Sequence, residues 1–335
     1  MINTHALTAA LVPRDHWLFS DFWLPNGWAT VAFVVLSGYG IGYIFSIREQ
    51  AEREASLISR CKKILAVMFV SNFVFGAIQQ LLVKKQASNL LDPGWWLGFF
   101  TLNTDWTISG VLLPTGLVLL CGIFMIRFCQ RAIWTTLIVL VAIRFAITLL
   151  ISTPAVTDCA NIWILQFLLF KGFGFPVLPF VVNGCLGIWL GIFHRRNGEK
   201  AWIIVLVALM LVQLLIYFFS FKHTPALWGT LIFSLGAVGK FAWIFVVALL
   251  LTSLKSFPIA SMIGLIGKFS LGSFIMHRVF LNAIDIPWKH FCGNWPSPGY
   301  YYCLLLIGAL VLTWFHCFLR ERFPDINRYF KRMAL

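Results

Sequence analysis

The stretch Ile266-Gly-Lys-Phe-Ser-Leu-Gly-Ser-Phe-Ile-Met-His-Arg278 decides the reading of this chain. It lies within residues 258–283, a segment long and apolar enough to cross a bilayer, yet it carries Lys268, His277 and Arg278. Ionisable groups in hydrocarbon are costly, so they mark a site or a pathway more often than packing. Working outward, 60% of the 335 residues are hydrophobic and 11% are charged. That leaves too little polar surface for a water-soluble globule, and the composition places the chain among polytopic membrane proteins.

Apolar runs of spanning length occupy 28–47, 64–83, 109–126, 133–152, 175–193, 201–221, 227–252, 258–283 and 301–319. No series of alternating strands of about 10 residues accompanies them, and open sheet edges are excluded from lipid. The expectation is an all-α transmembrane bundle of about nine spans, forming a single domain over 1–335. Of the 26 Lys and Arg, 16 fall on one side of these spans, among them Arg48, Arg60, Arg127, Arg195 and Arg322; six, such as Arg14 and Lys289, fall on the other. The richer side is expected to be cytoplasmic, with the C-terminus inside a plasma (inner) membrane. The net charge of +14 then reflects topology and contact with anionic lipid rather than nucleic acid.

Nine spans place Met1 outside. Residues 1–12 are apolar but too short to cross, so they read either as the lower half of a further span whose upstream half precedes Met1, or as a stub on the outer surface. Among the eight cysteines, Cys159 and Cys292 fall in outer loops, where an oxidising compartment would let them pair. No CxxC or HExxH spacing points to a metal.

Arg144, Lys240, Lys268 and Arg278 remain inside spans, and no Asp or Glu lies deep in any span to balance them. They must snorkel, line a wet cavity or hold an anion. Read as one helix, 258–283 puts Ser270, Ser273 and His277 on one face, with Lys268 pointing the other way. His277 falls in the outer half. Neutral imidazole suits general-base work near neutral pH, and His5 in the N-terminal stub reaches a similar depth. Tryptophans beyond the outer helix ends read first as an interfacial belt. Trp17, Trp95, Trp96 and Trp295, in loops, are the candidates for stacking on a sugar. Gly38 and Gly42 form a GxxxG pair for close helix packing, beside Ser37, which either lines the cavity or bonds a backbone carbonyl. Arg60 and Lys63, three residues apart on one helical face, suit a phosphate clamp.

Three of these stretches carry a family resemblance. Phe33-Val-Val-Leu-Ser-Gly-Tyr39 resembles the FFxLSGF signature of the acyltransferase-3 family of integral membrane acyltransferases. Arg60 and Lys63 resemble that family's basic pair after the second helix, and Ile263 to His277 resembles its late lGkySLxiYLiH helix. Ser20-Asp21 is similar to the branch that modifies periplasmic glucans. The resemblance implies about ten helices and transfer of an acetyl, succinyl or similar group from acyl-CoA to a hydroxyl of an extracytoplasmic glycan or glycolipid. His277 or His5 would act as base, Ser270, Lys268 or Arg278 would stabilise the oxyanion, and Arg60, Lys63, Ser37 and Lys268 would contact acyl-CoA. The chain departs from the family at its start: only His5 matches the histidine of the first helix, and the preceding Arg-x-x-Ala motif has no counterpart. Two rival readings stay open, a transporter or flippase with a basic path through Arg144, Lys240 and Arg278, and an inactive acyltransferase-like subunit.

Overall fold

A computed structural model describes residues 2–13, 16, 28–78, 80–81, 86–100, 109–159, 162–170, 176–219, 234–253, 258–293 and 298–332. In chain order the helices are α1 (Ile2–Ala9), α2 (Trp28–Phe45), α3 (Gln50–Ile78), α4 (Pro93–Phe100), α5 (Ser109–Arg131), α6 (Ile133–Ser152), α7 (Pro154–Asp158), α8 (Trp163–Leu169), α9 (Val177–Phe219), α10 (Gly236–Ser253), α11 (Pro258–Lys268), α12 (Ser270–Phe291), α13 (Pro298–Arg322) and α14 (Pro324–Arg332). No strand occurs among the described residues. In lipid every backbone N–H and C=O must be satisfied within the protein, and a helix does this locally. Five helical segments are long and apolar enough to cross a membrane: Gln50–Ile78, Val111–Arg131, Ile133–Ser152, Val177–Ile216 and Gly299–Arg322. They mark the chain as a membrane protein. Thr30–Phe45 and Gly236–Leu250 are apolar but shorter.

The chain packs as two compact units, Thr30–Val246 and Met1–Ala29 with Val247–Leu335. In the central unit, α3 packs on α5, and α5 and α6 pack on α9. The contact of α2 with α9 is closer still. A Cβ at Gly38 would strike the carbonyl of Gly184, one at Gly42 that of Ile188, and one at Gly187 that of Val35. The GxxxG pair therefore meets a second run of glycines, which brings the two backbones together. Helix α9 is two arms. Gly198 adopts φ 75° and ψ −179°, a left-handed φ that glycine reaches without strain. His194 and Trp202 stack with ring centroids 4.8 Å apart and planes 6° apart. In a straight helix eight residues advance about 12 Å, so the chain doubles back at Gly198, between the segments 175–193 and 201–221. Arg144 is held without a carboxylate: its Nε donates to Asn183 Oδ1 at 3.2 Å and its Nη1 to Thr148 Oγ1 at 2.6 Å.

In the other unit, α1 packs on α12 and α13. Ala6, Leu7 and Ala10 share a core with Leu281, Tyr302, Leu305 and Ala309. The segment 258–283 corrects the expectation of one continuous span. It breaks at Phe269, with φ −111° and ψ 37°, and α12 runs on to Phe291. The eleven residues of α11 rise only about 16 Å. Polar groups stabilise the break: Ser273 Oγ donates to Ile266 O at 3.2 Å, and the Arg320 guanidinium lies 4.5 Å over the Phe269 ring. A second correction concerns charge. Lys268 donates to both carboxylate oxygens of Glu321, at 2.8 and 2.7 Å, so an acid does balance it. Cys159 and Cys292 are both free, exposed thiols.

Candidate active site

Helix α1 presents His5 and α12 presents His277, with ring centroids 5.4 Å apart and planes 22° apart. Two side chains 272 positions apart in sequence thus meet. Each is held by apolar packing: Ala6 and Leu7 follow His5, while Ile275 and Leu281 flank His277, and all four are buried. His277 is 2% exposed. Its Nδ1 lies 3.1 Å from Ser273 O, one helical turn back. A carbonyl only accepts, so Nδ1 carries the proton and Nε2 keeps a bare lone pair. That Nε2 is buried and has no hydrogen-bond partner among the described residues. A buried acceptor without a donor costs about 1–3 kcal/mol, and such atoms in native structures call for an explanation. An incoming hydroxyl would supply the missing donor.

The rest of the expected polar face divides. Ser273 contributes its carbonyl to His277, while its hydroxyl is engaged at the helix break with Ile266 O and with Cys317 Sγ at 3.1 Å. Ser270 is the first residue of α12, seven positions and about 10 Å from His277 along the axis; its side chain lies outside the described residues. Arg278 is partly buried and offset by about 100° around α12 from His277. Lys268, 58% exposed in its ion pair with Glu321, stands before the break. The histidine pair is therefore the convergent part, while Lys268 is engaged with Glu321 at the helix break.

In the central unit, Ser37 Oγ donates to Phe33 O at 2.7 Å, which satisfies the backbone alternative of the two weighed for it. Arg60 is exposed and its guanidinium lies 5.1 Å over the Phe45 ring, with Arg48 over the same ring at 4.8 Å. Lys63 is exposed on α3. Trp95 and Trp96 lie in α4 rather than in a loop. They pack edge to face at 4.9 Å, and Trp96 stacks on Phe73 at 5.6 Å while its indole donates to Leu90 O at 2.8 Å. They form a fixed aromatic wall. Trp17 and Trp295 lie outside the described residues.

Two polar clusters escaped the sequence reading. Tyr39 Oη lies 2.7 Å from His194 Nδ1, and His194 Nε2 lies 3.1 Å from Glu199 Oε1. The carboxylate accepts from Nε2–H, so Nδ1 accepts from the tyrosine hydroxyl. A histidine and a glutamate flanking Gly198 was the available signal. Near the far end of α12, Asp285 accepts from Tyr301 and from Lys289 Nζ, the latter at 2.9 Å; it sits two positions past the limit set for the span. Among the described residues no group of three His, Cys, Asp or Glu could hold a metal ion. No known protein family, curated protein or solved structure matches this chain.

Proposed function

We propose that this chain is a membrane O-acyltransferase that moves an acyl group of the acetyl or succinyl type from acyl-CoA to a hydroxyl of an extracytoplasmic glycan or glycolipid. The observation that carries the proposal is the bare, buried Nε2 of His277 beside the His5 ring. Nε2 removes the acceptor's proton as its oxygen attacks the thioester carbonyl carbon. The tetrahedral oxyanion collapses, the carbon–sulfur bond breaks, and the proton passes from imidazolium to the departing thiolate. His5 flanks the imidazole during this exchange. In the central unit, Arg60 and Lys63 are the proposed contacts for the donor's phosphates, supported by their exposure on one face of α3. Trp95 and Trp96 are the proposed sugar platform. The reading includes nine spans and an N-terminal partial span in a bacterial inner membrane, with the C-terminus inside.

The test is mass spectrometry of envelope polysaccharide from cells with the wild-type chain, with His277→Ala and with no copy. Loss of an acyl mass in both the null and the variant, with the variant still inserted in the membrane, supports the proposal. Normal acylation in His277→Ala overturns it, and unmodified glycan retained inside the cell in the null favours transport instead.

A further inference from the structure

In the central unit a cavity of about 370 Å³ opens where α5 ends and α6 begins, beside residues of α9. Arg131, Ala132, Trp134 and Thr135 line it on one side, and Arg196 and Asn197 on the other. No lining residue is acidic. The cations nearby in sequence differ: Arg48 pairs with Glu52 and Arg127 with Glu54. Neither Arg131 nor Arg196 has an ion pair among the described residues, and both are exposed. Two guanidiniums therefore border one cavity with nothing negative between them.

The backbone adds to the same field. Ala132 precedes the first turn of α6 and provides no side-chain cap, and the first bonded amide of that turn is Thr136 N, which donates to Ala132 O at 3.0 Å. The amides of residues 133–135 have no acceptor within the helix, and they carry the positive end of the dipole of a 20-residue helix. Thr135 offers a hydroxyl, whereas the Asn197 amide nitrogen is already engaged with Phe193 O at 2.9 Å. Trp134, 59% exposed, supplies an apolar wall. Solvated arginines on a basic surface account for the charge, but not for its convergence on a walled cavity beside uncapped amides.

We propose that this cavity binds a phosphate-bearing anion of at least two negative charges, a diphosphate or a phosphomonoester, through Arg131, Arg196 and the first turn of α6. Guanidiniums recognise such groups by forked hydrogen bonds. The phosphate comes either from a soluble molecule or from a lipid headgroup, and the inference stands whether or not the chain transfers acyl groups.

The experiment uses the full chain in phosphatidylcholine nanodiscs at about 0.15 M salt, where long-range attraction is screened. Inorganic pyrophosphate is titrated by calorimetry, and phosphatidic acid, added to parallel discs, is followed by native mass spectrometry. The expected result is saturable binding of one probe, weakened about tenfold or more in the Arg131→Gln, Arg196→Gln pair and unchanged in Arg322→Gln. Binding of pyrophosphate assigns the site to a soluble phosphate, and retention of phosphatidic acid assigns it to a headgroup. Binding of neither probe overturns the proposal. So does undiminished binding in the glutamine pair, or an equal loss in Arg322→Gln. Both site arginines are exposed, so the pair should fold, which an unchanged Tm verifies.

Discussion

His194 in the central unit and His277 in the other are both buried at helix contacts, and the two carry opposite tautomers. His194, 7% exposed, has both nitrogens engaged, with Tyr39 on Nδ1, Glu199 on Nε2 and the Trp202 ring stacked on its face. His277 is more deeply buried, yet among the described residues only Nδ1 is engaged, and by its own helix. A satisfied buried imidazole is a structural joint, which ties α2 to both arms of α9. A half-satisfied one carries a cost that a joint would not require, and under the proposed function its open nitrogen is the one that meets the acceptor hydroxyl.

The strongest way to break this comparison is to delete both imidazoles and measure two quantities. His277→Ala is expected to lose acyl transfer by about 10²-fold or more while its Tm falls less than that of His194→Ala. Equal losses of transfer in the two variants would erase the distinction. The α2–α9 seam around His194 gives the next largest effect. Gly38→Ala drives a methyl into the Gly184 carbonyl, and overpacking of this kind costs about 1–3 kcal/mol. Gly40→Ala, on the same helix, meets nothing within 4 Å and should change thermal unfolding by less than about 0.5 kcal/mol. For His194→Ala the Tyr39 hydroxyl left without its partner predicts a loss of about 1–3 kcal/mol, read as a lowered Tm in detergent. Lys268→Gln should also have a small effect. Its ion pair with Glu321 is 58% and 47% exposed, and exposed pairs contribute about 0–1 kcal/mol, less at high salt. A large loss there would mean that the break at Phe269 depends on that pair.

The helical class was legible because lipid imposes it: apolar length is a local property of sequence, and so is the 3.6-residue period that aligned Gly38 with Gly42. The break at Phe269 was not, since no proline interrupts residues 259–283 and the groups that stabilise the break, Arg320 and Ser273, act through three-dimensional contacts. The same reason hid the acid that balances Lys268, 53 positions away. A similar depth for His5 and His277 was expected from counting along helices, but that their rings meet at 5.4 Å depends on how α1 packs on α12. Which nitrogen of His277 stays open was not, since it depends on where the Ser273 carbonyl points. Tyr39 stood in a quoted motif, but its hydrogen bond crosses 155 positions, and nothing in Leu36-Ser-Gly-Tyr39 marks that partner.

The packing of α1 has a consequence for the order in which the chain is made. Lys289 Nζ reaches Ala9 O at 3.5 Å across 280 positions, and the core around Leu7 is completed by Tyr302, Leu305 and Ala309. During synthesis the segment that holds His5 leaves the ribosome long before any of those partners exists. The earliest-made part of the candidate site therefore waits for nearly the last. A nascent chain halted before α12 would hold every residue of the Gly38 seam but would lack His277, and the seam can form without it.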